Sequence, residues 1–147
     1  MTEARHAGGN VVPLDLTARR MTSRAGFMPI YKEGFALLEE AAARLAEDAG
    51  LERRSRREAI QYTLETCKLT TAAIRLAAWM MMQRAVVEGE VSAAAVAGDP
   101  ERPTIDAVEL PDPQLLPEAL RPMVVRLHRF TARMQLMDGT LYGRRAV

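Results

Sequence analysis

Cysteine occurs once in this chain of 147 residues, histidine twice, and aromatic residues make up 5% of it. A single cysteine, Cys67, excludes an internal disulfide and reads as a small core residue in a reducing compartment. His6 and His128 are too few for a zinc site. The residue three before His128 is Val125, so the Glu-x-x-His pair of a di-iron bundle is missing as well. No Gly-rich phosphate loop, GxSxG or HExxH occurs. An excess of one charge is also lacking: 20 basic residues face 19 acidic ones. No global field therefore points to nucleic acid or to an anionic membrane. The densest apolar run, Leu76 to Met82, is far shorter than the roughly 20 residues that span a bilayer. The N-terminus is polar, without the apolar core of a secretory signal. These absences read as a cytoplasmic protein that is not an enzyme and uses no metal or cofactor.

What the chain has instead is alanine and methionine, a mixture that suits close helix packing better than a sheet. The longest apolar pattern runs from about Ser55 to Gly89. Ile60, Leu64, Cys67, Thr71, Ile74, Ala78, Met81 and Ala85 follow one another in steps of four and three, one seam along a helix. Tyr62, Leu69, Ala73, Leu76, Met80 and Val87 form a second series on a different face, and Trp79, Met82 and Val86 partly close the gap. Ser55 and Glu58 fit a capping box at the start. Gly89 marks the end.

The other segments read as covering for this helix. Met1 to Gly26 has no sustained period and is expected to be a mobile arm. A first helix is expected over Pro29–Glu47, with Pro29 at its first position and Tyr31, Phe35, Leu38, Ala42 and Leu45 as its buried stripe. Phe27 packs just before it, and Gly50 is the natural stop. Ser92 to Ala97 can form a turn or two. Prolines at 100, 103, 111 and 113 exclude regular helix up to Leu116, so Ile105, Val108 and Leu110 should lie extended over the bundle. A last helix starts at Pro117 or Pro122, buries Leu120, Val124, Leu127, Phe130 or Thr131, Met134 and Met137, and stops at Gly139. The chain thus divides into an arm (1–26), a bundle (27–141) and a short tail (142–147). At about 1.5 Å per residue the central helix would run roughly 50 Å and the others roughly 25–30 Å. Two shorter helices cannot cover a longer one that is apolar on most sides. The expected architecture is all-α, an antiparallel three-helix bundle with a long central helix that also contributes to a homodimer.

Candidate chemistry is sparse. Cys67 with His128 would be a nucleophile–base pair only if the bundle brought them together. Glu39, Glu40 and Glu65 are carboxylates of the kind helix surfaces carry routinely. Arginines at 19–24, 53–57 and 144–145 lie in the arm, a turn and the tail, without aromatics between them to stack on bases, which argues against nucleic acid. Met80, Met81 and Met82 point in three directions. Trp79 is either core or an interface anchor.

One string goes further. Tyr62-Thr63-Leu64-Glu65, Leu69-Thr70-Thr71, and Ala78-Trp79-Met80-Met81-Met82-Gln83-Arg84-Ala85-Val86-Val87-Glu88-Gly89-Glu90 resemble the signature of an alphaproteobacterial family, the regulators of CtrA degradation (RcdA). The family's pattern is Tyr-x-x-Glu-Ser-x-x-Leu-Thr-Thr followed by Ser-Trp-Leu-Leu-Leu-Gln-Arg-Ala-Val-x-Glu-Gly-Glu. Here Ala78 stands for the serine and three methionines for the leucines, a volume-tolerant change. The similarity spans roughly Phe27 to Leu141. It implies a dimeric three-helix bundle without catalytic activity, an adaptor that helps deliver CtrA and other clients to the protease ClpXP together with companion adaptors. Trp79, Gln83, Arg84, Glu88 and Glu90 would then form a protein-binding patch. Their other reading is structural, with Arg84 and Glu88 pairing four residues apart on one helix. The alternative function is a dimeric helical scaffold in another regulatory pathway.

Overall fold

The computed structural model describes residues 19–47, 54–106 and 108–143. Three long helices carry it: α1 (Arg24–Ala46), α2 (Arg56–Val87) and α4 (Arg121–Tyr142), with the short α3 (Ala93–Gly98) after α2. No strand occurs among the described residues. The fold is all-α, built on a long central helix as the apolar periodicity requires.

Helix α2 has the ends its sequence specifies. Ser55 Oγ accepts the Glu58 amide at 3.2 Å, and Glu58 Oε2 accepts the Ser55 amide at 3.3 Å, closing the capping box. At the other end Gly89 takes φ +75°. That left-handed turn lets the Glu90 amide reach the Ala85 carbonyl at 2.9 Å and the Gly89 amide reach Val86 at 3.1 Å, a Schellman stop.

Helix α1 begins earlier than expected. Ser23 caps it by accepting the Gly26 amide at 3.1 Å, so Pro29 lies inside the helix, not at its first position. The extra turn is held by apolar burial: Phe27 and Met21 are fully buried, and residues 19–22 are themselves helical. Residues 19–26 therefore belong to the packed domain and not to the arm; 1–18, like Gly50, lie outside the described residues. The buried stripe is also rolled relative to the expected one. Phe27, Gly34, Leu37 and Ala41 face inward, Tyr31, Phe35, Leu38 and Leu45 are half-buried, and Ala42 is exposed. Gly34 sets this roll. A Cβ there would press on the Met80 sulfur and come within 2.7 Å of the Phe130 ring, so α1 lies tight against α2 and α4 at a residue with no side chain.

Contacts between elements fix the directions. Arg126 and Arg133 of α4 pair with Glu40 and Glu33 of α1, and Arg84 near the end of α2 reaches Tyr31 near the start of α1. Helix α1 is thus antiparallel to both neighbours, and α2 and α4 run the same way. The connection after α3 makes this possible by returning along the bundle. Arg102 lies beside Asp138, the Ile105 carbonyl accepts from Gln135, the Pro111 carbonyl meets His128, and the Asp112 amide donates to Glu65. Of the strap's alternating residues Ile105 is buried while Val108 and Leu110 are half-buried, and Leu116, outside that pattern, is buried as well. Helix α4 starts after a 3-10 turn (Glu118–Leu120) with Pro122 in its first turn. It runs past Gly139 to Tyr142, because Leu141 and Tyr142 still pack on the core, an apolar gain that offsets the roughly 1 kcal/mol cost of a helical glycine.

Candidate interaction surface

The five residues singled out in the string do not form one patch. Trp79 and Gln83 are fully buried. Trp79 Nε1 donates to Asp138 Oδ1 at 2.8 Å, and the same oxygen accepts from Arg102 at 2.7 Å. Arg102 also donates to the Gly143 carbonyl at 3.3 Å and lies over the Tyr142 ring. Gln83 Nε2 donates to the Met21 carbonyl at 2.6 Å, while its Oε1 accepts from the Tyr142 hydroxyl. This polar chain joins residue 21, α2, the strap and the end of α4. Both Trp79 and Gln83 hold the fold and cannot touch a partner from there.

Arg84, Glu88 and Glu90 are on the outside. Arg84 Nε donates to Glu88 Oε1 at 3.1 Å, and its guanidinium lies 5.2 Å from the centre of the Tyr31 ring. Hydrogen bonds to Tyr31, then to Glu88, push the Arg84 pKa up. The outer half of the string therefore has a surface role open to it.

The chemistry-bearing residues are likewise apart. Cys67 is exposed rather than buried, in a groove with Lys68, Thr71, Arg75, Val108 and Glu109, and His128 is not in its lining. His128 Nε2 is 2.8 Å from the Pro111 carbonyl, to which it donates. Glu40 is engaged by Arg126, and the buried Glu65 by Lys68 and the Asp112 amide. Glu65 and Glu109 raise the Lys68 pKa through their hydrogen bonds. Among the described residues no cluster of His, Cys, Asp and Glu could hold a metal, and no helix is long and apolar enough to cross a membrane.

Arg102, Asp138 and Tyr142 have no place among the residues the sequence singles out, and Glu65, expected as a surface carboxylate, is buried. Asp138 had a signal: Val124, Leu127, Thr131, Met134 and Asp138 share the step of three and four, which puts a carboxylate on the buried stripe of α4. Its arginine is in the strap, where no period exists to betray it.

An apolar face is also left uncovered. The first seam of α2 faces away from the core, with Ile60 53%, Leu64 58%, Ile74 65% and Met81 59% exposed. The model of a family of proteins of unknown function, DUF1465, matches residues 18–147. The chain belongs to DUF1465. No curated protein and no solved structure matches it. The DUF1465 match takes in the buried Met21 and the turn before α1.

Proposed function

We propose that this DUF1465 protein acts through protein contacts and not through catalysis, as a cytoplasmic, homodimeric adaptor in cell-cycle-linked proteolysis. In this reading it helps deliver clients such as the transcription factor CtrA to ClpXP, alongside companion adaptors. The observation that carries it is the string Trp79 to Glu90, whose resemblance to the RcdA family is specific. Its outward residues Arg84, Glu88 and Glu90 sit beside an exposed apolar helix face. Apolar residues gathered on a surface in this way mark association sites.

A second reading has its own support. Trp79 and Gln83 are core residues, so half of the string specifies the fold and not a partner. A dimeric helical scaffold in another regulatory pathway needs only the fold. Degradation of a purified CtrA-like substrate by ClpXP, with the companion adaptors of the same organism, separates the two. Acceleration that vanishes when this protein is omitted supports the adaptor. No effect from an intact dimer supports the scaffold.

A further inference from the structure

The exposed seam of α2 repeats every seven residues, alternating four and three, from Ile60 to Ala85. Such a repeat is the mark of a left-handed pairing with another helix. The core of the protein uses the other face of α2, and the seam is left in solvent. Extending the step by three at each end adds Arg57 and Glu88, both on the surface. The seam therefore starts on a basic residue and ends on an acidic one, whose Oε1 also accepts from Arg84 of the same helix.

We infer that the seam is covered by the same seam of a second copy, running antiparallel, with the two-fold axis crossing α2 between Ala72 and Ala73. The inference rests on the homodimer proposed above and assigns its register. Arg57 then faces Glu88 of the second copy at both ends, whereas a parallel pair would set Arg57 against Arg57 and Glu88 against Glu88. Inside these ends Ile60 meets Ala85, Leu64 meets Met81 and Cys67 meets Ala78. Each Thr71 packs on Ile74 instead of on another threonine. A parallel pair would stack Ile60, Leu64 and Ile74 on themselves, and leave Ala78 and Ala85 as thin layers with nothing to fill them. Beside Ile60 and Leu64 the surface already holds a concavity of about 290 Å³, lined also by Arg56, Ala59 and Thr63, on the side where Met81 of the second copy would enter.

Cys67 reports the register. Light scattering at tens of micromolar should give a dimer. Mild oxidation with copper–phenanthroline should leave the native protein uncrosslinked, because each Cys67 faces an alanine, and should convert Ala78→Cys into a covalent dimer. Crosslinking of native Cys67 within a dimer would overturn the antiparallel register and leave the dimer standing, as would an Ala78→Cys dimer that fails to crosslink. A monomer at that concentration would overturn both. Leu64→Glu, at a solvent-facing position, should give a monomer of unchanged helix content. Arg57→Glu should weaken dimerisation roughly tenfold, since it affects both symmetric ends, and the double variant Arg57→Glu/Glu88→Arg should restore it. Absence of rescue would count against the register.

Discussion

Two apolar seams run along α2 about 150° apart, and the rest of the chain treats them oppositely. One, Tyr62, Glu65, Leu69, Ala72, Leu76, Trp79 and Gln83, steps by three and four and is buried under α1, α4 and the strap. The other has the same step and is bare. The buried seam contains a glutamate, a glutamine and a tryptophan with a polar edge, while the bare one has in its middle only Thr71 to interrupt apolar side chains. Hydrophobicity alone does not tell which side faces inward. Polar residues are tolerated on the buried side because each finds a partner there: Asp138 for Trp79, Met21 and Tyr142 for Gln83, Lys68 and the Asp112 amide for Glu65.

The largest effect should come from breaking that set of partners. Asp138→Ala would strand the buried Arg102 guanidinium and the Trp79 N–H, and should cost about 3–5 kcal/mol in urea unfolding. Replacing Arg102 by Met in the same chain should recover part of the loss, since the orphaned charge goes with it. A loss below about 1 kcal/mol in the single variant would mean that water already reaches the pair.

Next comes a matched pair on one helix. Leu76→Ala, on the buried seam, should cost about 2–5 kcal/mol by removing packed atoms. Leu64→Ala, on the bare seam, should change the stability of the dilute protein by no more than about 0.5 kcal/mol. Melting temperatures measured over a range of protein concentrations sharpen the contrast. Leu76→Ala should keep any rise with concentration, and Leu64→Ala should blunt it.

That contrast shows why the fold was legible and the facing was not. Helix α2, its capping box, the glycine stop and the extended strap follow from local rules that the residues state outright. Facing depends on what the other helices offer. The large residues of α1 predict a stripe through Tyr31, Phe35 and Leu38, but Gly34 brings α1 against Met80 and Phe130, and the buried stripe runs through Leu37 and Ala41. Cys67 reads as a core residue because it lies on the main apolar seam, and it is exposed for the same reason that Ile74 is. Among the candidate site residues, an unbroken string of sequence concealed that Trp79 and Gln83 point in while Arg84 and Glu88 point out. Arg102 was out of reach, because an arginine among prolines carries no sign that its partner is an aspartate on the far end of α4.

A smaller effect should come from the outward half of the string. Arg84→Glu removes a contact with Tyr31 and sets two acids four residues apart, which at an exposed site should lower the melting temperature only slightly. Circular dichroism should show intact helices, while client delivery to ClpXP should be abolished. A sharp fall in melting temperature would instead make Arg84 a member of the structural half.

The smallest effect separates the two halves by pH. Burial pushes the Tyr142 hydroxyl up to about 12 from its ordinary 10, helped by the Asp138 charge and opposed by Arg102. A raised value means that the folded state holds its proton longer than the unfolded chain. Tyr142 therefore contributes stability that is complete below pH 10 and is lost as the pH climbs toward 12. Two units would amount to about 2.7 kcal/mol at an enclosed site, and solvent at a half-buried hydroxyl cuts this to about 1 kcal/mol. Unfolding of the native protein and of Tyr142→Phe, compared between pH 9 and 11.5, should show the native protein losing stability faster by that amount. Equal slopes would mean that the hydroxyl opens to water, and that Gln83 is held from the Met21 side alone.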